Sequence, residues 1–190
     1  MRVLVLLTLG CTPAHAANIF CETAWFARNL FYAKAGHCFD TPLGRAVFGE
    51  RCEGAAKLGP DAQRRIEEIR AYEVSGRGCT VNSENETFER LDALALRRRL
   101  DVHPLRSGEE SSCGDWRGEP LVLRAAPSST ARIVGTVEPG ENIGYSHQWE
   151  GSWEMVEVYA PRPDARSELV ALGWLDGGTV DNALCGFMAG

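Results

Sequence analysis

The sequence predicts an α+β fold in two parts, a small disulfide-bonded helical domain followed by a small all-β barrel or sandwich. Three observations predict it. Up to about residue 94 the apolar residues recur at helical spacing. From Leu121 onward they form short runs rich in β-branched and aromatic residues, separated by Pro and Gly turns. Six cysteines follow an N-terminal export signal, an even number that reads as a disulfide framework. With 44% hydrophobic and 24% charged residues in 190 positions, the chain has the balance of a globular protein, not of a disordered or fibrous one. Its net charge of -6 excludes the concentrated positive surface that a nucleic-acid partner requires. No apolar run reaches the roughly 18 residues of a membrane-spanning helix.

The signal comes first. Arg2 is a short positive region, residues 3–9 are apolar, and Ala14-His15-Ala16 is a small-x-small cleavage site. That pattern predicts export and cleavage after Ala16, placing the chain in the periplasm or outside the cell. A lipoprotein signal with Cys11 as the lipidated residue is the alternative, although Thr8 fits that pattern poorly. Cleavage after Ala16 leaves Cys21, Cys38, Cys52, Cys79, Cys113 and Cys185. No pair has CxxC spacing and no HxxxH occurs, so three disulfides are expected and neither a metal nor another cofactor is.

A first helix is expected over 22–34, where Phe26, Leu30 and Ala33 share a face and Gly36 supplies the left-handed residue that closes it. Asp40 or Thr41 can cap a second helix with Pro42 at its first position and Leu43, Val47 and Phe48 as its buried stripe. Gly59 and Pro60 open a third over 61–73, with Ile66, Ile69 and Tyr72 on one side. Ser83 and Glu86 have capping-box spacing ahead of Phe88, Leu91 and Leu94, which predicts a fourth. Arg97, Arg98 and Arg99 read as a solvated helix face. Helix geometry then constrains the bridges. A helix of about 13 residues is roughly 20 Å long, too far to join Cys21 to Cys38 at its two ends. A second helix running back would bring Cys52 to Cys21, and a third would return Cys79 to Cys38. The expected pairs are Cys21–Cys52, Cys38–Cys79 and Cys113–Cys185, with Cys38–Cys52 across a short second helix as the rival.

Residues 101–112 (DVHPLRSGEESS) have no periodicity and read as a linker between a helical domain over 17–100 and a β domain over 113–190. Strands are expected at Leu121-Val122-Leu123, 133–137, 143–145 and 153–159, with turns at Ala126-Pro127, Pro139-Gly140 and Glu150-Gly151. A domain of about 75 residues is marginal on its own core, so a staple between Cys113 and Cys185 would help it.

Residues 122–141 (VLRAAPSSTARIVGTVEPGE) resemble the opening of a bacterial SH3-like domain, "(N)VRSGPS" followed by "(V)IGTLKKG". Trp153-Glu154-Met155-Val156 matches its "GWYKV" strand and Gly173-Trp174-Leu175 its closing "GWV"; the segment 160–172 between them is longer than the usual hairpin. The resemblance implies a five- or six-stranded, partly open SH3-like barrel, a fold that often accompanies wall enzymes or binds wall peptides. Residues 29–39 (NLFYAKAGHCF) resemble the "N-x-x-YARHG-x-x-F" signature of the YARHG domain, a helical module of exported bacterial proteins. Here Lys34-Ala35-Gly36-His37 replaces the contiguous Arg-His-Gly, so no role passes to His37. The pairing of the two modules is similar to a family of exported alphaproteobacterial proteins.

Candidate ligand-binding residues are Tyr145, His147, Trp149 and Trp116. Trp149 sits in HQWEGS, a loop tip where exposed aromatic surface marks a binding site, and Tyr145 and His147 lie close by. Trp153 and Trp174 are expected in the core, His37 at a helix end, and His103 in solvent on the linker. No GxSxG, SxxK or Gly-rich phosphate loop occurs. The expected function is therefore a non-catalytic envelope protein that binds peptidoglycan or a partner protein. The alternative is an exported cell-wall hydrolase or other enzyme with its site between the two halves.

Overall fold

The computed structural model describes residues 18–49, 52–75, 78–161 and 168–190. The signal and Cys11 lie outside the described residues, as do residues 162–167 of the long hairpin segment. The order is α1 (Ile19–Lys34), α2 (Pro42–Phe48), α3 (Pro60–Val74), α4 (Leu94–Arg97), β1 (Arg106–Trp116), β2 (Leu121–Arg124), β3 (Ile133–Val137), β4 (Asn142–His147), β5 (Trp153–Tyr159), β6 (Leu169–Asp176) and β7 (Cys185–Ala189). The Asn18 side chain accepts from Phe20 N at the start of α1, and Gly36, at φ +79°, turns the chain after it. Thr41 caps α2 through Gly44 N. Among the described residues no helix is long and apolar enough to cross a membrane.

α1 and α3 are antiparallel. Arg28 pairs with Glu73 at 3.1 Å, Arg70 donates to the Tyr32 hydroxyl at 3.1 Å, and Cys21 is bridged to Cys79. As the α1 number rises, the α3 number falls. Ala24 and Ala27, both fully buried, let Ile69 of α3 approach closely.

Two of the three expected bridges are corrected: the pairs are Cys21–Cys79 and Cys38–Cys52, not Cys21–Cys52 and Cys38–Cys79. The expected pairing needed α2 to run the length of α1. At seven residues α2 spans about 10 Å against about 24 Å for α1. The chain therefore stays at one end of α1, where Glu53 N donates to Gly36 O, and Cys38 and Cys52 meet there. α3 makes the return instead and delivers Cys79 to Cys21. The third bridge joins Cys113 to Cys185.

The fourth helix shrinks to Leu94–Arg97. The backbone N–H groups of Glu89, Arg90 and Leu91, which a helix capped at Ser83 would have paired with its own carbonyls, instead donate to the buried carboxylate of Glu22 on α1 at 2.7–2.9 Å. A charged acceptor offering three bonds outcompetes a local capping box.

The linker is corrected too. Asp101 N and Val102 N donate to Ala125 O, Trp174 donates its indole N–H to Val102 O at 2.8 Å, and Gln148 N donates to Leu105 O. The chain is docked onto the sheet and then becomes β1 from Arg106. His103, expected in solvent, is 2% exposed. The Arg97 side chain, expected on a solvated face, is also 2% exposed. Its guanidinium donates to Glu157 on β5 at 2.6 Å, to His103 Nε2 at 3.0 Å and to Asp92 O at 2.9 Å.

The seven strands form one antiparallel sheet, ordered β3-β2-β6-β5-β4-β1-β7. It is an open seven-stranded sheet with β3 and β7 at its edges, not the expected five- or six-stranded, partly open barrel. Central β5 is buried on both faces from Glu154 to Val158. One continuous cluster runs from Phe26 and Leu30 of α1 and Leu43 and Val47 of α2 to Leu123, Met155 and Trp174 of the sheet. The helical and β parts thus share a core.

A shared core makes unfolding cooperative. Replacing both Cys113 and Cys185 by Ser opens a loop of 72 residues, worth about 4 kcal/mol in the chain-entropy model. The loss should appear as one transition with coincident fluorescence and far-UV circular dichroism; two separate transitions would contradict the shared core. Arg97→Met should cost about 3–5 kcal/mol in urea unfolding, because it strands the buried Glu157 carboxylate. Adding Glu157→Gln should recover part of that loss.

Candidate functional site

A cleft of about 330 Å³ lies on the sheet. Antiparallel register places its walls: Ser111 of β1 is opposite Tyr145 of β4, Tyr145 is opposite Val156 of β5, and Glu154 of β5 is opposite Leu175 of β6. Period-2 alternation turns Glu154 and Val156 into the cleft, while Met155 and Glu157 take the other face of β5. β6 and β7 are four strand spacings apart, about 19 Å. Their connection must cross that width, and its Gly177, Val180 and Asn182 line the cleft. Asp176 and Asp181 cap its two short 3₁₀ turns. Met188 of β7 and Ser107 and Glu109 of β1 complete the wall.

The cleft gathers three of the four residues singled out from sequence. Tyr145 and His147 are on β4, and Trp149 stands at its end, 57% exposed, with its ring over Gly177. A Cβ at residue 177 would lie 2.4 Å from that ring, so the glycine permits the contact. Trp116 does not join them. It is 2% exposed, packs over Gly118 and donates its indole N–H to Glu119 O at 3.0 Å. Cys113, three residues before Trp116 on β1, and Leu123 belong to the same buried cluster. Trp174 is fully buried, and Trp153 packs partly buried against the core. His37 sits between the rings of Tyr32 and Phe39 at the end of α1.

The chemistry of the cleft lies in its unpaired groups. His147 is 1% exposed, its Nδ1 is 3.0 Å from Ser146 Oγ, and its Nε2 has no hydrogen-bond partner. The Tyr145 hydroxyl is buried and likewise without a partner. A buried polar atom left unpaired costs about 1–3 kcal/mol. Burial pushes the Glu154 carboxyl up to about 7. It pushes the Tyr145 hydroxyl up to about 12, with the Glu154 charge adding to the effect. Burial holds His147 well below its ordinary value, and the charges of Arg97 and Arg106 act in the same direction.

Behind the cleft His147 meets His103 ring to edge, centroids 5.5 Å apart. An arginine only donates, so His103 Nε2 accepts from Arg97 and its Nδ1–H donates to Pro104 O at 2.9 Å. His103 is therefore the neutral tautomer, and burial followed by the Arg97 charge holds its pKa low. Glu157 is kept ionised by Arg97 and by the Tyr159 hydroxyl, which outweigh the opposing effect of burial.

Glu154 was missed by the sequence reading. The signal for it was a carboxylate at an inward position of a strand otherwise read as core. Among the described residues no group of three or more His, Cys, Asp or Glu side chains is gathered to hold a metal.

The model of a domain of unknown function (DUF4453) matches residues 78–190, more than half of the chain, and the YARHG-domain model matches residues 1–74. The chain belongs to the DUF4453 family, with a YARHG domain ahead of it. The boundary between the two matches falls just before Cys79, whose bridge to Cys21 ties one region to the other. The YARHG match and the three disulfides are consistent with a location outside the cytosol. No curated protein and no solved structure matches the chain.

The Glu154 carboxyl makes stability depend on pH. Its folded pKa of about 7 lies above its ordinary 4.5, so the folded state takes up the proton first. The cost of the buried charge is full above pH 7 and disappears as pH falls toward 4.5. Glu154→Gln should stabilise the protein at pH 8 by up to about 3 kcal/mol, and the gain should shrink to nothing near pH 4.5. Urea unfolding of both proteins across that range checks it. A gain independent of pH would show that Glu154 is not the titrating group.

Proposed function

We propose that the chain is a non-catalytic binding protein of the bacterial cell envelope whose sheet cleft takes a fragment of peptidoglycan. In this reading the signal is cleaved after Ala16 and the mature protein works in the periplasm or outside the cell. One observation carries the binding reading: a cleft beside an exposed tryptophan is lined by a histidine and a tyrosine whose imidazole nitrogen and phenol hydroxyl are buried and unpartnered. Buried unpaired polar atoms destabilise a fold, and a ligand that pairs them offsets that cost. The order of SH3-like motifs along β2, β3, β5 and β6 supports a wall-binding role in particular.

A second reading, an exported wall hydrolase, draws on a single feature. Glu154 holds a carboxyl near 7 in a cleft shared with His147, a value suited to general acid–base work. Ser146, the hydroxyl bonded to His147, does not line the cleft and so is not set to act as its nucleophile.

Retention on purified sacculi separates these readings. The wild-type chain should be retained without releasing soluble wall fragments. Trp149→Ala, an exposed position, should lower retention about tenfold without changing the unfolding midpoint. Release of fragments that is abolished by Glu154→Gln would favour the hydrolase. Undiminished retention of Trp149→Ala together with Tyr145→Phe would place binding elsewhere on the molecule.

A further inference from the structure

We propose that the cleft is a receptor for a primary ammonium group at the end of a short aliphatic stem, as carried by a diamino acid in a short peptide. The inference rests on the binding reading above and names the chemistry of its ligand.

Charge sets the sign of the ligand. Glu154 faces the cleft at 6% exposure, and Glu109 stands exposed on β1 at its mouth. Among the described residues no Lys or Arg lines the cleft. The nearby arginines are committed elsewhere: Arg106 to Glu110 at 2.6 Å, Arg97 to Glu157, and Arg65 to Glu150. Glu154 thus lacks the salt bridge that most buried carboxylates have, and a ligand cation would supply one.

Hydrogen-bonding capacity sets the group. An ammonium offers three donors and no acceptor. The cleft offers three unpaired acceptors: the Glu154 carboxylate, the Tyr145 oxygen, and His147 Nε2 when Nδ1–H donates to Ser146 Oγ. A carboxylate or phosphate ligand would instead meet like charge. His147 makes this more than an acidic cluster, because its unpartnered nitrogen is almost wholly buried and the residue lines the same cleft.

Apolar surface sets the stem. Val156 and Leu175 of the sheet and Val180 of the crossing segment line the cleft with Glu154 and give methylene groups an apolar surface to cover. A cleft of about 330 Å³ is at the small end of ligand sites, fit for one side chain rather than a chain of residues. Trp149 at the rim can cover the peptide that carries it.

The test is calorimetric titration of the full chain, with its bridges intact, at pH 8. Three probes are used: a lysine-containing tripeptide blocked at both ends, the same peptide acetylated at Nζ, and a trimer of N-acetylglucosamine. The free-amine peptide should bind at least tenfold more tightly than its acetylated form, the worth of one charge-assisted hydrogen bond. Glu154→Gln should remove that preference. Tyr145→Phe, which preserves shape, should weaken the amine peptide several-fold and leave the acetylated one unchanged. Equal affinity for the two peptides, no binding of the amine peptide at millimolar concentration, or a preference that survives Glu154→Gln would each overturn the proposal. If the sugar trimer binds and Trp149→Ala abolishes it, the ammonium assignment falls while the cleft remains a wall-binding site. If sacculi retention also fails to depend on the cleft, both readings fall.

Discussion

The guanidinium of Arg97 is the constraint on which the rest of the molecule depends. It leaves α4 for the interior and there meets a carboxylate of the central strand, an imidazole of the docked segment and a carbonyl of its own loop. Burying a charge is costly, and the attraction of Glu157 together with two further hydrogen bonds offsets much of that cost. One consequence is geometric. With Arg97 held by Glu157, residues 98–105 are held against the sheet, and the Trp174 indole N–H and the Ala125 carbonyl complete the attachment through hydrogen bonds to the backbone of residues 101 and 102. Another is electrostatic. Burial, and after it the same positive charge, keeps His103 and His147 neutral, so the unpartnered Nε2 of His147 is free to accept a hydrogen bond.

The cleft exists because of how the sheet is ordered. β7 pairs with β1 and not with β6, its neighbour in sequence, so the segment between them has to span the strands that separate them. That crossing raises a wall over one face, while α1, α2 and the docked segment fill the other. β5 is covered on both sides as a result. Its two glutamates meet opposite fates: Glu157 faces Arg97 and is driven toward ionisation, whereas Glu154 faces the cleft without a cation and is driven toward the neutral acid. Two residues of the same type, three positions apart, differ only in what the fold sets against them.

Local structure was largely legible. The N-cap and proline of α2, the proline start of α3, the left-handed Gly36 and strands β2 to β5 all follow from turn residues and hydrophobic spacing, which act within a few positions, whereas β6 begins inside the 160–172 segment, where the sequence suggests a loop. β1 and β7 were not legible. The strand RSGEESSCGDW has neither the alternation nor the β-branched residues of a strand. It is extended because β4 and β7 supply its hydrogen bonds and Cys185 holds Cys113. The capping box at Ser83 misled for the converse reason, since the remote carboxylate of Glu22 took backbone donors that the helix would have paired within itself. Tyr145, His147 and Trp149 were found through the crowding of polar aromatic groups near a turn, whereas Trp116 shared the residue type but not the placement.

The sequence alone determined the division into helical and β-rich regions, the even set of cysteines and three of the residues that meet in the cleft, because each depends on residue type and short-range spacing. Only the tertiary structure decided which cysteines pair, that the two regions share one core, and that Glu154 is a cleft residue. Each of these depends on which distant groups are brought together. The short α2 keeps Cys38 beside Cys52, the return of α3 brings Cys79 to Cys21, and the position of Arg97 decides which glutamate of β5 is paired and which is left to a ligand.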